Sequence, residues 1–172
     1  MQTVLGSPQP ILRDAARMPA DVAATMVADS LSALGADAGF VATPAPDLET
    51  LEIARVTPYA RHPVRFTLAL EAPYPLAETI RTREPLFIEN NEHLACNNPG
   101  LIRIRSEDHS CATIPLLDES GELLGALNLG FDEPRTFAER DYERINLLAR
   151  HCAQAMSLAL KLEAGLRLRG KD

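Results

Sequence analysis

The sequence predicts one α+β domain with a central antiparallel sheet of about six strands. The N- and C-terminal helices should cover one face of this sheet, and a ligand pocket should lie on the other. Three observations favour this class: short β-prone segments divided by Pro and Gly, an amphipathic stripe near each end, and the hairpin pattern "SCATIPLLDESGELLGALNLGF". With 172 residues, 46% of them hydrophobic, the chain is long enough to bury a core.

The first half should contain a lead-in, a helix and three strands. Residues 1–17 carry two prolines and read as a loose or partly helical lead-in. A helix from Pro19 to Gly35 follows, with Pro in its first turn and Gly as terminator. Its stripe comprises Val22, Met26, Val27, Leu31 and Leu34. "AGFVAT" and "LETLEIARV" predict a hairpin, and "VRFTLAL" predicts a third strand.

The second half should alternate short elements with one long loop. Pro75 begins the short helix "PLAETIRT", which Pro85 ends before the strand "PLFIEN". Residues 90–108 should form a loop with a helical turn or two, of the length at which ligands often bind. After the hairpin, a helical pattern runs from about Ala138 past Leu162.

The overall charge and the cysteines limit the class of protein. A net charge of -7 argues against a nucleic-acid partner, because phosphate binding needs a basic surface. No apolar run is long enough to cross a bilayer, and the N-terminus lacks the form of a signal peptide. Three irregularly spaced cysteines do not predict a disulfide framework. We therefore expect a cytoplasmic protein that does not bind membranes.

The segment "IPLLDESGELLGALNLGF…RTFAERDYERINLLARHCAQAM" resembles the C-terminal half of a GAF domain. The matching pieces are Pro115, Gly125, Phe137, Asp141 and the pair Ala153–Gln154. The resemblance extends over about residues 20–163. It implies a GAF-like fold over residues 18–165, with 166–172 as a helical extension. It also implies a small-molecule sensor or dimerisation module of a signalling protein, here expected to be a two-component histidine kinase whose effector domain lies elsewhere in a longer chain.

The matching pieces of this segment also have plain structural roles. Gly125 marks a place where a side chain would clash. Phe137 can staple the first turn of the helix to the sheet, and Asp141 is placed to cap it. None of the three is placed as a nucleophile, base or metal ligand.

The last helix carries an apolar seam of alternating three- and four-residue steps. The seam consists of Ile145, Leu148, Cys152, Ala155, Ala159, Leu162 and Leu166. Such a repeat predicts that the helix pairs with its twin in a homodimer. The alternative is that it packs only on its own sheet and on the first helix.

Seven residues are the candidates for lining the pocket. They are Tyr74, His93, Cys96, Arg103, His109, Cys111 and Asn128. The His and Cys residues suit zinc or iron, but their spacing matches no known metal motif, so we expect no metal site. The sequence assigns no cofactor and does not identify the small-molecule ligand.

Four other functions are alternatives to the sensor. Free methionine sulfoxide reductases resemble GAF domains, with Cys96 and Cys111 as possible nucleophile and resolver, but "EAPYPLAETI" stands where a Cys-containing segment is expected. A bilin could use "HSC", and a haem could use His93 or His109. In GAF domains that bind cyclic nucleotides, an Asn-Lys pair precedes the Phe-x-x-x-Asp motif. Leu129 stands in place of that lysine, so cyclic-nucleotide binding is not supported. A last alternative is a spacer whose pocket is vestigial. We predict a regulatory domain without catalysis.

Overall fold

The computed structural model describes residues 9–10, 18–60, 62–102 and 109–170. The elements in chain order are β1 (Gln9–Pro10), α1 (Met18–Leu34), β2 (Ala38–Pro44), β3 (Thr50–Val56), β4 (Val64–Ala69), α2 (Pro75–Thr82), β5 (Leu86–Ile88), α3 (Asn91–Asn97), β6 (Ser110–Leu117), β7 (Leu123–Phe131) and α4 (Glu139–Arg169).

These strands form one antiparallel sheet, in the order β1-β4-β3-β2-β7-β6-β5. Every pairing among the described strands is antiparallel. The predicted fold class is therefore confirmed, and strands β2 to β7 are the six that we expected. The two-residue strand β1 falls within the lead-in, where we had expected no strand; it pairs with the edge of β4.

The two long helices α1 and α4 cover one face of the sheet. Alternate residues of the strands, such as Val41, Leu127 and Leu129, point into this layer and are fully buried. The buried side of α1 packs against α4, where the Cys152 thiol lies 3.9 Å from the carbonyl oxygen of the buried Ala23. Burial raises the pKa of the Cys152 thiol to about 12, so this cysteine is a packing residue.

The opposite face of the sheet is covered by α2. The other set of alternate strand residues, including Phe40 and Ile53, packs there against Leu76 and Ile80 of the helix. Arg81 stabilises the connection between β4 and α2 by donating hydrogen bonds to the carbonyl oxygens of Leu70 and Ala72. We call the layer between α2 and the sheet the α2 layer.

The "PRTF" segment before α4 ties three elements together through Arg135. One guanidinium nitrogen donates to the Leu34 carbonyl oxygen at the end of α1 (2.8 Å), and another donates to Asp141 (2.6 Å). The guanidinium also lies 4.5 Å from the centre of the Phe131 ring. Asp141 accepts from the Ala138 N–H at 2.9 Å, as a helix cap does. Its predicted capping role is confirmed.

Gly125 and Pro115 have local reasons to be in the hairpin. A Cβ on Gly125 would lie 2.2 Å from the Ala42 carbonyl oxygen on the neighbouring strand, so only Gly allows β7 to pair there with β2. Pro115 pairs with Ala126 of β7 but lies beyond the last β6 residue paired with β5, so no partner needs its missing N–H.

Helix α4 has 31 residues, and its C-terminal end extends beyond the sheet that it covers. Of the predicted seam, the part from Ile145 to Ala159 is mostly buried inside the chain, as the intrachain alternative expects. Leu162 and Leu166 are 55% and 62% exposed. Within the described residues, no helix combines the length and the apolar character that a membrane span requires.

Candidate functional site

A row of paired residues crosses the sheet on the side of the α2 layer. The strand register joins Arg55 to Phe40, Phe40 to Asn128, and Asn128 to Thr113. Because paired residues of antiparallel strands point to the same face, the four side chains share this face with Ile53 of the apolar cluster. Three polar side chains therefore cross a face that is otherwise apolar.

Asn128 and Thr113 form the centre of this polar row. The Asn128 amide nitrogen donates to the Thr113 hydroxyl at 2.7 Å. Thr113 is fully buried and Asn128 is 5% exposed. Small side chains flank Asn128 along the two central strands, at the paired positions Ala42 and Ala126. The pair is a fixed hydrogen-bonding element on a floor of small residues.

Two further polar groups in this region have no hydrogen-bond partner in the protein. The Arg55 Nε is buried and unpaired, although the residue as a whole is half-buried. The Thr79 hydroxyl, on the buried side of α2, is likewise unpaired, and Thr79 is fully buried. Buried polar groups are nearly always hydrogen-bonded, so each exception calls for an explanation.

The structure places three of the predicted pocket residues in or beside the α2 layer. Cys111 is buried on β6 and lies on the same sheet face as Asn128 and Thr113. Tyr74 is half-buried at the start of α2, where it packs against the apolar cluster.

The other predicted residues lie around α3 or outside the described part. His93 is half-buried and Cys96 is exposed, both on α3. His109 lies just before β6, with its Nδ1 3.4 Å from the Asn91 amide nitrogen. Arg103 falls in residues 103–108, outside the described residues. Across the described ranges, no three His, Cys, Asp or Glu side chains are grouped as a metal site would require.

Glu89 connects α3 to the start of α4. Its backbone N–H donates to the His93 Nδ1 at 3.2 Å, and its carbonyl oxygen accepts from the Arg135 N–H at 2.9 Å. Its carboxylate accepts from the Phe137 N–H at 3.3 Å. The Phe87 ring adds a contact 5.1 Å from the Phe137 ring. A displacement of α3 would therefore act directly on the segment that positions α4.

Among the described residues, two surface grooves lie beside α1 and α4. One, of about 490 Å³, runs between α1 and the β3–β4 connection, where Asp21 forms an ion pair with Arg65. The other, of about 300 Å³, separates α4 from the β6–β7 turn and is lined by residues that include Arg150 and Lys161. Neither groove contains a predicted pocket residue.

Reasoning from the sequence missed Arg55, Thr113 and Thr79. A signal for Arg55 was present, because Leu51, Ile53 and Arg55 are spaced by two residues and the strand should place all three on one buried face. The sequence carried no comparable signal for the Thr113 pairing, which depends on the register of β6 against β7.

A family model described as "GAF domain" matches residues 17–157. The matched range covers most of the chain and contains the α2 layer and nearly all of the packed part of α4. The chain belongs to the GAF family. None of the curated proteins matches the sequence of this GAF domain.

Solved structures share its fold at low sequence identity. The GAF-B domain of DevS from Mycobacterium smegmatis is 21% identical, with a TM-score of 0.64, covering 85% of this chain and 98% of that one. The GAF domain of a phosphoenolpyruvate-protein phosphotransferase from Coxiella burnetii is 20% identical, with a TM-score of 0.65 and coverage of 88% and 89%. A free methionine-R-sulfoxide reductase from Neisseria meningitidis, solved with its substrate, is 16% identical, with a TM-score of 0.65 and coverage of 87% and 83%. These likenesses concern the fold.

Proposed function

We propose that this GAF domain is a regulatory module that binds a small molecule in the α2 layer and dimerises through α4. It has no catalysis of its own and controls an effector, of the two-component histidine kinase type, in a longer protein. The observation that carries the proposal is α4, which is packed on the domain at one end and leaves its leucines exposed at the other. Its cytoplasmic location remains a prediction.

The far end of α4 has the properties of a helix that needs a partner. Residues 160–169 extend the helix by roughly 15 Å past its last buried residue, Ala159. Four exposed leucines occur there: Leu160, Leu162, Leu166 and Leu168. Leu162 and Leu166 continue the seam whose earlier residues are buried inside the chain, and a second copy of α4 would remove them from water.

The junction at Glu89 gives the proposed signal a physical route. A ligand in the α2 layer that also contacts α3 would displace this helix, whose His93 imidazole accepts a hydrogen bond from the Glu89 N–H. Glu89 in turn holds the backbone just before α4. The ligand would thus favour one position of α4, and the effector would respond to it.

The dimer is tested by replacing Leu162 with aspartate. Burying one leucine contributes about 1.5–3 kcal/mol, and a symmetric dimer loses two, so the dissociation constant should rise by about 10²- to 10⁴-fold. Light scattering at tens of micromolar should show a wild-type dimer and a monomeric variant with an unchanged circular dichroism spectrum.

Leu48→Asp is the matched control. Leu48 is 71% exposed in the β2–β3 connection, and its left-handed φ of 59° suits aspartate. This variant should remain dimeric. A monomeric wild-type domain, or a Leu162→Asp variant that still dimerises, would contradict the proposed assembly.

The ligand is tested by native mass spectrometry of the purified domain. A bound small molecule that denaturation releases, and whose removal lowers the melting temperature, supports the sensor. A domain that carries no small molecule and is not stabilised by any metabolite fraction would instead be a dimerising spacer.

The reductase is the second candidate, because a structural relative is such an enzyme. In this chain Cys96 is exposed on α3, whereas Cys111 is buried on β6. Free methionine-R-sulfoxide should be reduced at the same negligible rate by the wild type and by Cys96→Ser and Cys111→Ser variants. Reduction that either variant abolishes would replace our proposal with this one.

A further inference from the structure

We propose that the ligand of the α2 layer is a small organic carboxylate and that Arg55 binds its carboxylate group. This inference rests on the proposed sensor function and specifies the ligand's chemistry. Four groups carry it: the unpaired Arg55 and Thr79, and the bonded pair Asn128 and Thr113.

Arg55 occupies a position that the fold would normally give to an apolar residue. Leu51 and Ile53 precede it on the same face and are fully buried. Its Nε is removed from water and has no partner in the protein. Three other arginines that lie on or between the elements of the domain are each paired with a carboxylate: Arg65 with Asp21, Arg81 with Glu78, and Arg135 with Asp141.

A guanidinium whose Nε is buried on this face without a partner can be satisfied by an anion. Its donors form a planar fork that matches a carboxylate or a phosphate, with two parallel hydrogen bonds. Part of the Arg55 side chain remains accessible, so an anion can reach it from the solvent. No second cation lies in the row that joins Arg55 to Thr113 in the described strands. One cation suits a singly charged carboxylate better than a phosphate.

The Thr79 hydroxyl is the second sign of a ligand. Hydroxyl groups in helices often bond to the carbonyl oxygen four residues earlier. Thr25, Ser30 and Thr82 of this chain do so, at 2.8 to 3.0 Å. Thr79 does not, although it is fully buried on the side of α2 that faces the sheet. A ligand in the α2 layer would provide the missing partner.

The sheet register sets the size of this ligand. Arg55 and Asn128 lie two strands apart, with Phe40 between them, so their Cα atoms are roughly 10 Å apart at the usual strand spacing. A molecule of amino-acid size can place its carboxylate at Arg55 and a polar group near the Asn128 amide. The Phe40 ring between them suits an apolar portion.

The test compares carboxylates with their amides. Thermal unfolding is measured with butyrate, L-leucine and phenylacetate at 10 mM, and with the corresponding amides, which lack the carboxylate. At least one acid should raise the melting temperature of the wild type by several degrees, and its amide should not. Isothermal titration should then show at least a tenfold loss of affinity in Arg55→Gln and in Thr79→Val.

The stability of the ligand-free variants separates a binding role from a structural one. Because Arg55 and Thr79 carry unpaired buried groups, Arg55→Gln and Thr79→Val should melt at or above the wild-type temperature without ligand. If Arg55→Gln does not fold, Arg55→Lys replaces it in the test. This variant keeps the charge but lacks the planar fork of donors, so it should lose most of the affinity. Arg150→Gln, on the exposed side of α4, is the matched control and should bind as the wild type does.

Other results of these experiments bear on whether the ligand is a carboxylate held by Arg55. Absence of binding by all three acids, or undiminished binding by both Arg55 variants, overturns the inference. An uncharged molecule found in the purified domain overturns it too, while leaving the proposed sensor intact. Carboxylate binding by a domain that stays monomeric supports the carboxylate inference and counts against the proposed dimer.

Discussion

Replacing Asp141 by asparagine should destabilise the domain by about 2 kcal/mol at neutral pH. The carboxylate accepts from the Ala138 N–H and is paired with Arg135 at 2.6 Å, with its side chain 20% exposed. A cap of this kind contributes about 1 kcal/mol, and the helix dipole and the half-buried ion pair each contribute up to about 1 kcal/mol. Since asparagine can still accept one hydrogen bond, we expect about 2 kcal/mol, or a melting temperature lower by about 4–8 °C for a domain of this size.

The effect should depend on pH with a definite sign. The hydrogen bond from Ala138 and the nearby Arg135 hold the pKa of the Asp141 carboxyl below its ordinary value. A carboxyl whose pKa is lower in the folded state stabilises fully above its unfolded pKa of about 3.9, and this contribution is lost as the pH falls through the folded value. The difference between wild type and variant should therefore shrink below about pH 4.

Calorimetry from pH 7 to pH 3 measures this difference. Glu139→Gln is the control, because Glu139 lies in the same first turn but is exposed, so it reports the dipole alone. Its effect should stay below about 0.5 kcal/mol. Equal melting temperatures of wild type and Asp141→Asn at pH 7 would refute the reasoning, as would a difference that does not change between pH 7 and pH 3.

Two further predictions concern the sheet and the thiols. Gly125→Ala should cost about 2–3 kcal/mol in urea unfolding, because its Cβ would lie 2.2 Å from the Ala42 carbonyl oxygen and the strands must separate. In the native protein Cys96 alone should react quickly with a disulfide reagent, because Cys111 and Cys152 are buried and the pKa of Cys152 is raised to about 12.

Each of these two predictions has a control variant. Gly165→Ala makes the same change on α4, where nothing lies within 4 Å of the added Cβ, and it should raise stability by up to about 1 kcal/mol. Cys96→Ser should remove the fast thiol phase and leave the slow ones. An unchanged stability of Gly125→Ala would contradict the close approach of β7 to Ala42, and a fast phase that persists in Cys96→Ser would contradict the burial of Cys111 and Cys152.

The extent of the elements was readable from the sequence because each depends on neighbours along the chain. The stripe of α1 and the turn residues of the hairpin predicted elements within a few residues of those observed. Asp141 and Phe137 were assigned as cap and staple because helix ends are recognised within one turn. The same locality explains the failure at β1, where a two-residue strand exists only through its pairing with β4.

What the sequence determined by itself was the fold class, the apolar faces of α1 and α4 and the positions of the turns. The first two follow from periods of two and 3.6 residues, and the turns follow from the Pro and Gly residues between the elements. The tertiary structure decided which remote residues meet. It placed Arg55 in one row with Asn128, joined Glu89 to the start of α4, and buried the seam of α4 only as far as Ala159. The physical reason is that strand register and helix packing relate residues far apart in the chain, and no local pattern records those distances.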